Sequence, residues 1–376
     1  MTDRTSARPA GPPPPFDPEL APVIEVLTSL RSPGAYRSDN IVEMRKPVPG
    51  VETPTDEVLS RGGTYSVGEW EMPGPDGEAD VSLLICLPKH AATPTPAIYH
   101  IHGGGMIVRD NRFGLVEMLN LAEPMGMAVV SVEYRLAPET PPPGPVEDCY
   151  AGLVRVSDHA HELNIDPERI VIGGASAGGG LAAGVTLMAG DRNGPAILAQ
   201  LLLSPMLDDR NDSPSAQQMR GVGIWDSSSN ETGWNALLGD GVRGGPNVSP
   251  YAAPSRATDL SGLPSTFIDV GSAETFRDKD IAYAGCLWQA GGRLELHVWP
   301  GGFHGFDVVA PHAVISQDAI AALVQTVAAS VSSSAVREPP GRRRCGSRPS
   351  CRSAGLSLRT RSRPGPRQDR EVRVQS

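Results

Sequence analysis

The chain has 376 residues and a formal net charge of −10. That length suits one large α/β domain with an appended cap, and the negative balance argues against nucleic acid as a partner of the globular part. Five cysteines (Cys86, Cys149, Cys286, Cys345, Cys351) show neither metal-ligand spacing nor a disulfide framework, so buried free thiols and no metal are expected.

Residues 1–16 are Pro-rich, with Pro12 to Pro15 consecutive, and are expected to be disordered or extended. Asp17-Pro18-Glu19 then reads as a helix start: a capping acid, a proline suited to the first turn, and a glutamate that complements the dipole. Leu20, Ile24, Leu27 and Leu30 continue it as an apolar stripe. From residue 64 onward strands and helices alternate. The pattern predicts strands at 64–71, 81–87, 97–102, 127–133, 169–173, 197–203, 265–270 and 294–299. Helices are expected near 111–123, 145–164, 177–190, 278–290 and 312–333. The turn Pro73-Gly74-Pro75-Asp76-Gly77 makes 64–87 a hairpin, the antiparallel start of a mostly parallel sheet with helices on both faces. The segment 337–376 differs in kind. It carries twelve Arg against Glu338, Asp369 and Glu371, a net +9 that leaves the remainder near −19. With no apolar periodicity it is expected to be disordered, either an arm that binds polyanions or membrane surfaces nonspecifically or a translated extension without a role. No secretory segment follows Met1 and no run approaches the ~18 apolar residues of a membrane span, so a cytoplasmic protein is expected.

Three glycine-rich turns stand out. Gly174-Ala175-Ser176-Ala177-Gly178 follows the apolar run Ile170-Val171-Ile172. A serine on so sharp a strand-to-helix turn projects its hydroxyl into a cleft, and the helix brings its positive end to it. Upstream, the strand 97–102 ends in His102-Gly103-Gly104-Gly105. Unshielded N–H groups of Gly103 and Gly104, with that of Ala177, can hold a developing oxyanion. Downstream, the strand 294–299 leads into Pro300-Gly301-Gly302-Phe303-His304-Gly305-Phe306, which puts His304 on a loop where a general base belongs. Of the other histidines, His159, His161 and His312 read as surface residues, His90 as part of a proline-rich turn, His297 as a strand residue, and His100 and His102 as structural. Between these turns, the strand 265–270 ends at Gly271-Ser272-Ala273-Glu274. An acid there can orient the histidine. Glu274 is chosen over Asp269, inside the strand, and over Asp278 and Asp280, on the helix that follows. Each of these acids also reads as a helix-start residue favoured by the dipole.

The constellation resembles the hormone-sensitive lipase family of α/β-hydrolase carboxylesterases. His102-Gly103-Gly104-Gly105 is similar to its HGGG loop, and Tyr134-Arg135-Leu136-Ala137-Pro138-Glu139 to its YRLAPE segment. Gly174 to Gly179 resembles its GDSAGG elbow, Glu274 to Asp278 its DPLRD acid motif, and His304-Gly305-Phe306 its histidine motif. Ala175 replaces the usual Asp, and Glu274 stands where Asp is common. The resemblance spans roughly residues 80–330. It implies an α/β-hydrolase fold at 61–336, cap helices at 17–60 and a second cap piece at 210–245. In that second piece Trp225 and Trp234, with Ile224 and Leu237, are available to line an acyl pocket or to serve as core. The implied activity is hydrolysis of short- to medium-chain acyl esters by Ser176, His304 and Glu274, with no cofactor. The alternatives are a deacetylase or amidase with the same triad, and a non-catalytic ligand-binding protein. The implied partner is a small-molecule ester. Some family members dimerise, and no residue pattern here decides that point.

Overall fold

The computed structural model describes residues 10–30, 34–46, 53–91 and 93–334. The expectations for residues 1–9, for the Arg-rich tail, and for Cys345 and Cys351 lie outside them. Three short helices come first: α1 (Ala21–Leu30), α2 (Ile41–Met44) and α3 (Asp56–Leu59). The hairpin of β1 (Tyr65–Met72) and β2 (Val81–Pro88) follows. Then come β3 (Thr95–Ile101), α4 (Leu115–Ala122), β4 (Ala128–Glu133), α5 (Gly144–Asp158), β5 (Ile165–Ala175) and α6 (Ala177–Arg192). The chain continues through β6 (Ala199–Leu203), α7 (Pro214–Gln218), α8 (Ser227–Leu238), β7 (Ser265–Gly271) and α9 (Arg277–Gln289). It closes with β8 (Leu294–Trp299), α10 (Phe306–Val309) and α11 (Val314–Ser334).

The eight strands form one sheet in the order β1-β2-β4-β3-β5-β6-β7-β8. β2 runs antiparallel to both β1 and β4, and every later pairing is parallel. Both faces are buried along the central strands β3, β4, β6 and β7, as parallel sheets require. The period of two along each strand sorts side chains between two cores. Leu83, Tyr99, Val130, Ile172, Leu202 and Ile268 face α5, α6 and α9. Leu84, Ile98, Val129, Val171, Leu201 and Phe267 face α4 and α11. Each fully buried aliphatic or aromatic side chain of this kind contributes about 1.5–3 kcal/mol. A third cluster joins Leu20, directly before α1, and Ile24 within it to Phe303, Phe306, Ala310 and Ile315.

Every expected strand forms, and the differences have local causes. The helix expected at 145–164 stops at Asp158, and β5 starts at Ile165 rather than 169. The polar stretch Asp166-Pro167-Glu168-Arg169 carries no alternation, yet Ile165 pairs with Thr95 beyond an irregularity in the ladder. Residues 10–16, expected to be disordered or extended, form neither helix nor strand but make defined contacts. Phe16 meets Phe303 edge-to-face at 6.1 Å, and Pro12 O accepts a hydrogen bond from Gln218. Cys86 and Cys149 are buried free thiols, whereas Cys286 lies on the outer face of α9 and is exposed. The expectation of no membrane-length apolar run also needs correction. Among the described residues Val314–Ser332 is long and apolar enough, and its Ile315, Ala319 and Val327 are buried against the hydrolase body.

Candidate active site

Ser176 joins the end of β5 to the start of α6 at φ 59°, ψ −121°. A non-glycine residue in this region costs about 1–3 kcal/mol and must be held by its surroundings. Here Ser176 N–H donates to Leu203 O (2.8 Å), while Ser176 O accepts from Met206 N–H (2.8 Å) and Gly180 N–H (3.0 Å). The flanking glycines let the elbow press onto the end of β3. A Cβ on Gly174 would stand 2.2 Å from Ile101 O, and one on Gly178 2.0 Å from the same carbonyl. Ser176 is 8% exposed, and its hydroxyl has no hydrogen-bond partner among the described residues. Contacts of this kind often close only around substrate.

The glycine loop lies against the serine. A Cβ on Gly103 would be 3.6 Å from Ser176 Cβ and 2.9 Å from Ala175 O. Gly104 adopts φ +109°, and its carbonyl accepts from the N–H groups of Ile107 and Val108, both at 3.1 Å. The N–H groups of Gly103, Gly104 and Ala177 donate to no carbonyl among the described residues. His102 stacks on Tyr134 at 4.1 Å and shares a 2.8 Å hydrogen bond with Gly103 O through Nδ1. Burial lowers its pKa to about 4 and that of His100 to about 3, so both are neutral scaffold groups.

Glu274 and His304 meet at the loops that follow β7 and β8. Glu274 is 2% exposed, and its Oε1 lies 3.1 Å from His304 Nδ1. Its Oε2 accepts from the Ser204 hydroxyl (2.9 Å) and from Gly271 N–H (3.1 Å). Phe276 packs edge-to-face on the His304 ring at 5.3 Å. The turn after β6 therefore fastens both halves of the site: Leu203 and Met206 bond the elbow, and Ser204 between them bonds the acid. Sequence reasoning missed Ser204, whose only signal is a Ser-Pro step directly after a buried strand. The other acids lie elsewhere. Asp269 accepts from Trp299 Nε1–H (3.1 Å) and is pushed up to about 8, first by burial and then by Asp307 and Glu274. Asp278 accepts from Ser215 N–H at 2.7 Å. Asp280 is fully buried with neither oxygen hydrogen-bonded among the described residues, and burial beside Glu274 and Asp269 raises it well above the carboxylate range. Of the remaining histidines, His159 packs on Trp70 and His297 shares a hydrogen bond with Glu295, while His90, His161 and His312 are exposed.

The segment 210–245 reaches the glycine loop. A Cβ on Gly105 would be 2.2 Å from the Trp225 ring, and Trp225 also packs on Tyr36 at 5.1 Å. Trp225 O accepts from Thr275 Oγ1–H, next to Glu274. Trp234 is fully buried and presents no surface to a ligand, so of the two proposed pocket residues it is core. Grooves of about 460 Å³ (around Met72, Tyr150 and Arg155) and 430 Å³ (around Arg45, Glu133 and Glu139) contain none of the candidate catalytic residues. Among the described residues no group of three or more His, Cys, Asp or Glu is placed to hold a metal ion.

A sheet of this topology, with a serine elbow, a glycine loop and a carboxylate–histidine pair at the carboxyl ends of its strands, defines an α/β hydrolase. Comparison with known proteins agrees. A family model described as the alpha/beta hydrolase fold matches residues 98–308. Carboxylesterase NlhH of Mycobacterium tuberculosis is 30% identical over 316 residues, 81% of this chain and 92% of that protein. Esterase LipI of the same organism is 33% identical over 56% of this chain and 65% of its own. Among solved structures, a bacterial heroin esterase superposes with a TM-score of 0.73 at 37% identity, covering 84% of this chain and 98% of that one. Esterase LipW of Mycobacterium marinum gives 0.69 at 31%, covering 84% and 96%. The chain belongs to the α/β-hydrolase family, in its branch resembling hormone-sensitive lipase, and is a carboxylic ester hydrolase.

Proposed function

We propose that the protein is a serine carboxylesterase for short- to medium-chain acyl esters of small molecules. Ser176 Oγ attacks the ester carbonyl while His304 Nε2 takes its proton. The tetrahedral oxyanion is held by the N–H groups of Gly103, Gly104 and Ala177. Collapse releases the alcohol, which receives the proton from His304, and leaves an acyl-Ser176. Water, deprotonated by His304, then attacks the acyl group and frees the acid and the serine. Glu274 fixes the tautomer that leaves Nε2 free to accept, and stabilises the imidazolium that forms. The observation that carries the reading is the Glu274–His304 contact at 3.1 Å, with the far oxygen of Glu274 tied through Ser204 to the turn that holds Ser176.

Trp225 over Gly105, backed by Tyr36, supplies an apolar wall beside the glycine loop, which supports a confined acyl pocket over an open lipid-binding surface. The solved neighbour named for heroin supports a small-molecule ester as substrate. Helices α1 to α3 and the segment 210–245 supply the cap. The test is a p-nitrophenyl ester series from acetate to laurate with the wild type, Ser176→Ala and His304→Ala. Turnover highest at two to six acyl carbons and lost by at least ~10³-fold in both variants supports the reading. Retained turnover in Ser176→Ala overturns the nucleophile, and a laurate optimum overturns the chain-length assignment. Faster turnover of a matched anilide than of the ester favours an amidase.

A further inference from the structure

The base loop Pro300–Gly305 carries three glycines, so the position of His304 depends on what grips the loop from outside. A circuit of hydrogen bonds does so. Asp17 N–H donates to Gly301 O at 3.1 Å, and Gly301 N–H donates to Ser272 Oγ at 2.8 Å. Arg277 Nη1 donates to Ser272 O at 2.8 Å, and its Nη2 to Gln218 Oε1 at 2.9 Å. Gln218 Nε2 returns to the N-terminal segment by donating to Pro12 O at 2.9 Å. The segment 12–17, the end of α7, the acid loop and the base loop thus close a ring. Inside it Phe16 packs edge-to-face on Phe303, which is fully buried and immediately precedes His304. The approach is tight enough to require glycine at 301. That residue has φ +76°, and a Cβ there would stand 2.3 Å from Asp17 N. Beyond the ring, Glu19 Oε2 accepts from Val314 N–H at 2.7 Å, anchoring the same segment to the start of α11.

We infer that residues 12–19 form a clamp that sets the catalytic base, with Phe16 as a positioning residue acting through Phe303 on His304. This role differs from covering the substrate, because the contacts go to the loop that carries the base. A base within ~1 Å of its productive place is worth about 10² in rate. Loosening the clamp therefore lowers kcat while leaving ester binding intact. The inference rests on His304 being the base.

The experiment uses the full chain and compares Phe16→Ala, Phe16→Tyr, Gln218→Ala and His304→Ala with wild type on p-nitrophenyl butyrate. Folding is monitored by circular dichroism, and labelling of Ser176 is followed with a fluorophosphonate. Phe16→Ala is expected to lower kcat and the labelling rate about 10–50-fold with KM within twofold, Phe16→Tyr to restore both, and Gln218→Ala to lower kcat three- to tenfold. Should Phe16→Ala fail to fold, Gln218→Ala decides on its own, since it cuts the same circuit at a half-exposed position. Folded variants with wild-type kcat and labelling, beside an inactive His304→Ala, overturn the clamp and leave the base standing. An active His304→Ala removes the base itself. A change confined to KM assigns the segment to substrate contact and also overturns the clamp.

Discussion

Replacing Glu274 by Gln tests the site at its most constrained point. The side chain is 2% exposed, and its Oε2 is fed by two donors, the Ser204 hydroxyl and Gly271 N–H. An amide in the same place must put its carbonyl oxygen there, which turns its NH₂ toward His304 Nδ1. Nδ1 then has to accept, the ring proton moves to Nε2, and the nitrogen facing the serine can no longer take a proton. Flipping the amide restores the useful tautomer but sets NH₂ against the fixed Gly271 N–H. That costs about 1–3 kcal/mol for an unsatisfied buried group, and the charge that stabilises the imidazolium is still missing. The expected loss in kcat/KM is ~10³–10⁴, or about 4–5.5 kcal/mol at 1.36 kcal/mol per decade. The assay is p-nitrophenyl butyrate hydrolysis, with thermal melting to show that the fold is intact. A folded Glu274→Gln that keeps more than a tenth of wild-type kcat/KM would refute the assignment and turn attention to Asp269 or Asp278.

Other consequences can be measured directly. Gly104→Ala places a Cβ 2.1 Å from Val108 O at a residue with φ +109°, so the loop must shift. kcat/KM is expected to fall ~10²–10³-fold, as for loss of an oxyanion donor, and a change within threefold would remove Gly104 from that role. Asp269, at about 8 in the folded protein, holds a proton that the unfolded chain releases near ~4. Its contribution to stability is full below that lower value and is lost as pH rises through about 8. Asp269→Asn keeps an acceptor for Trp299 and should flatten the fall in urea midpoint between pH 5 and ~8; a slope equal to wild type would show that Asp269 is ionised in the fold. His100, lowered to about 3, works in the opposite direction. The unfolded chain takes up a proton below ~6.5 that the folded protein refuses, so stability drops as pH falls through that window. His100→Asn should lessen the drop between pH 7 and ~4.5, and an unchanged drop would place the acid sensitivity elsewhere, with His102 the next residue to test.

The order of elements and the three glycine turns were legible because they are local. A strand of Ile170-Val171-Ile172 running into a glycine-flanked serine has few other readings, and the alternation from residue 64 onward left one sheet architecture. The acid could be named from its place after β7, because a loop at that end of the sheet lies beside the histidine loop that follows the neighbouring strand β8. What was not legible joins residues distant in sequence. Ser204 touches Glu274 across 70 positions, and Phe16 lies against Phe303 at the opposite end of the chain. Neither partner is marked by spacing, and a proline run gives no sign that the aromatic residue after it will be anchored. Trp234 read as a pocket candidate because apolar periodicity does not distinguish a wall from the core behind it. Cys286 read as buried because α9 is amphipathic only weakly, with Trp288 and Ile281 also turned outward.

The contact of Gly174 and Gly178 with the single carbonyl of Ile101 has a consequence for how such a protein can change. The strand that ends in the glycine loop and the turn that carries the serine touch through bare backbone, so neither can move without the other. On the proposed reading, substrate range is left to the parts that meet this unit through side chains, Trp225 with its neighbour Tyr36 above all. A lineage, or an engineer, can rebuild that roof many times over while the few ångströms of backbone beneath it stay the same.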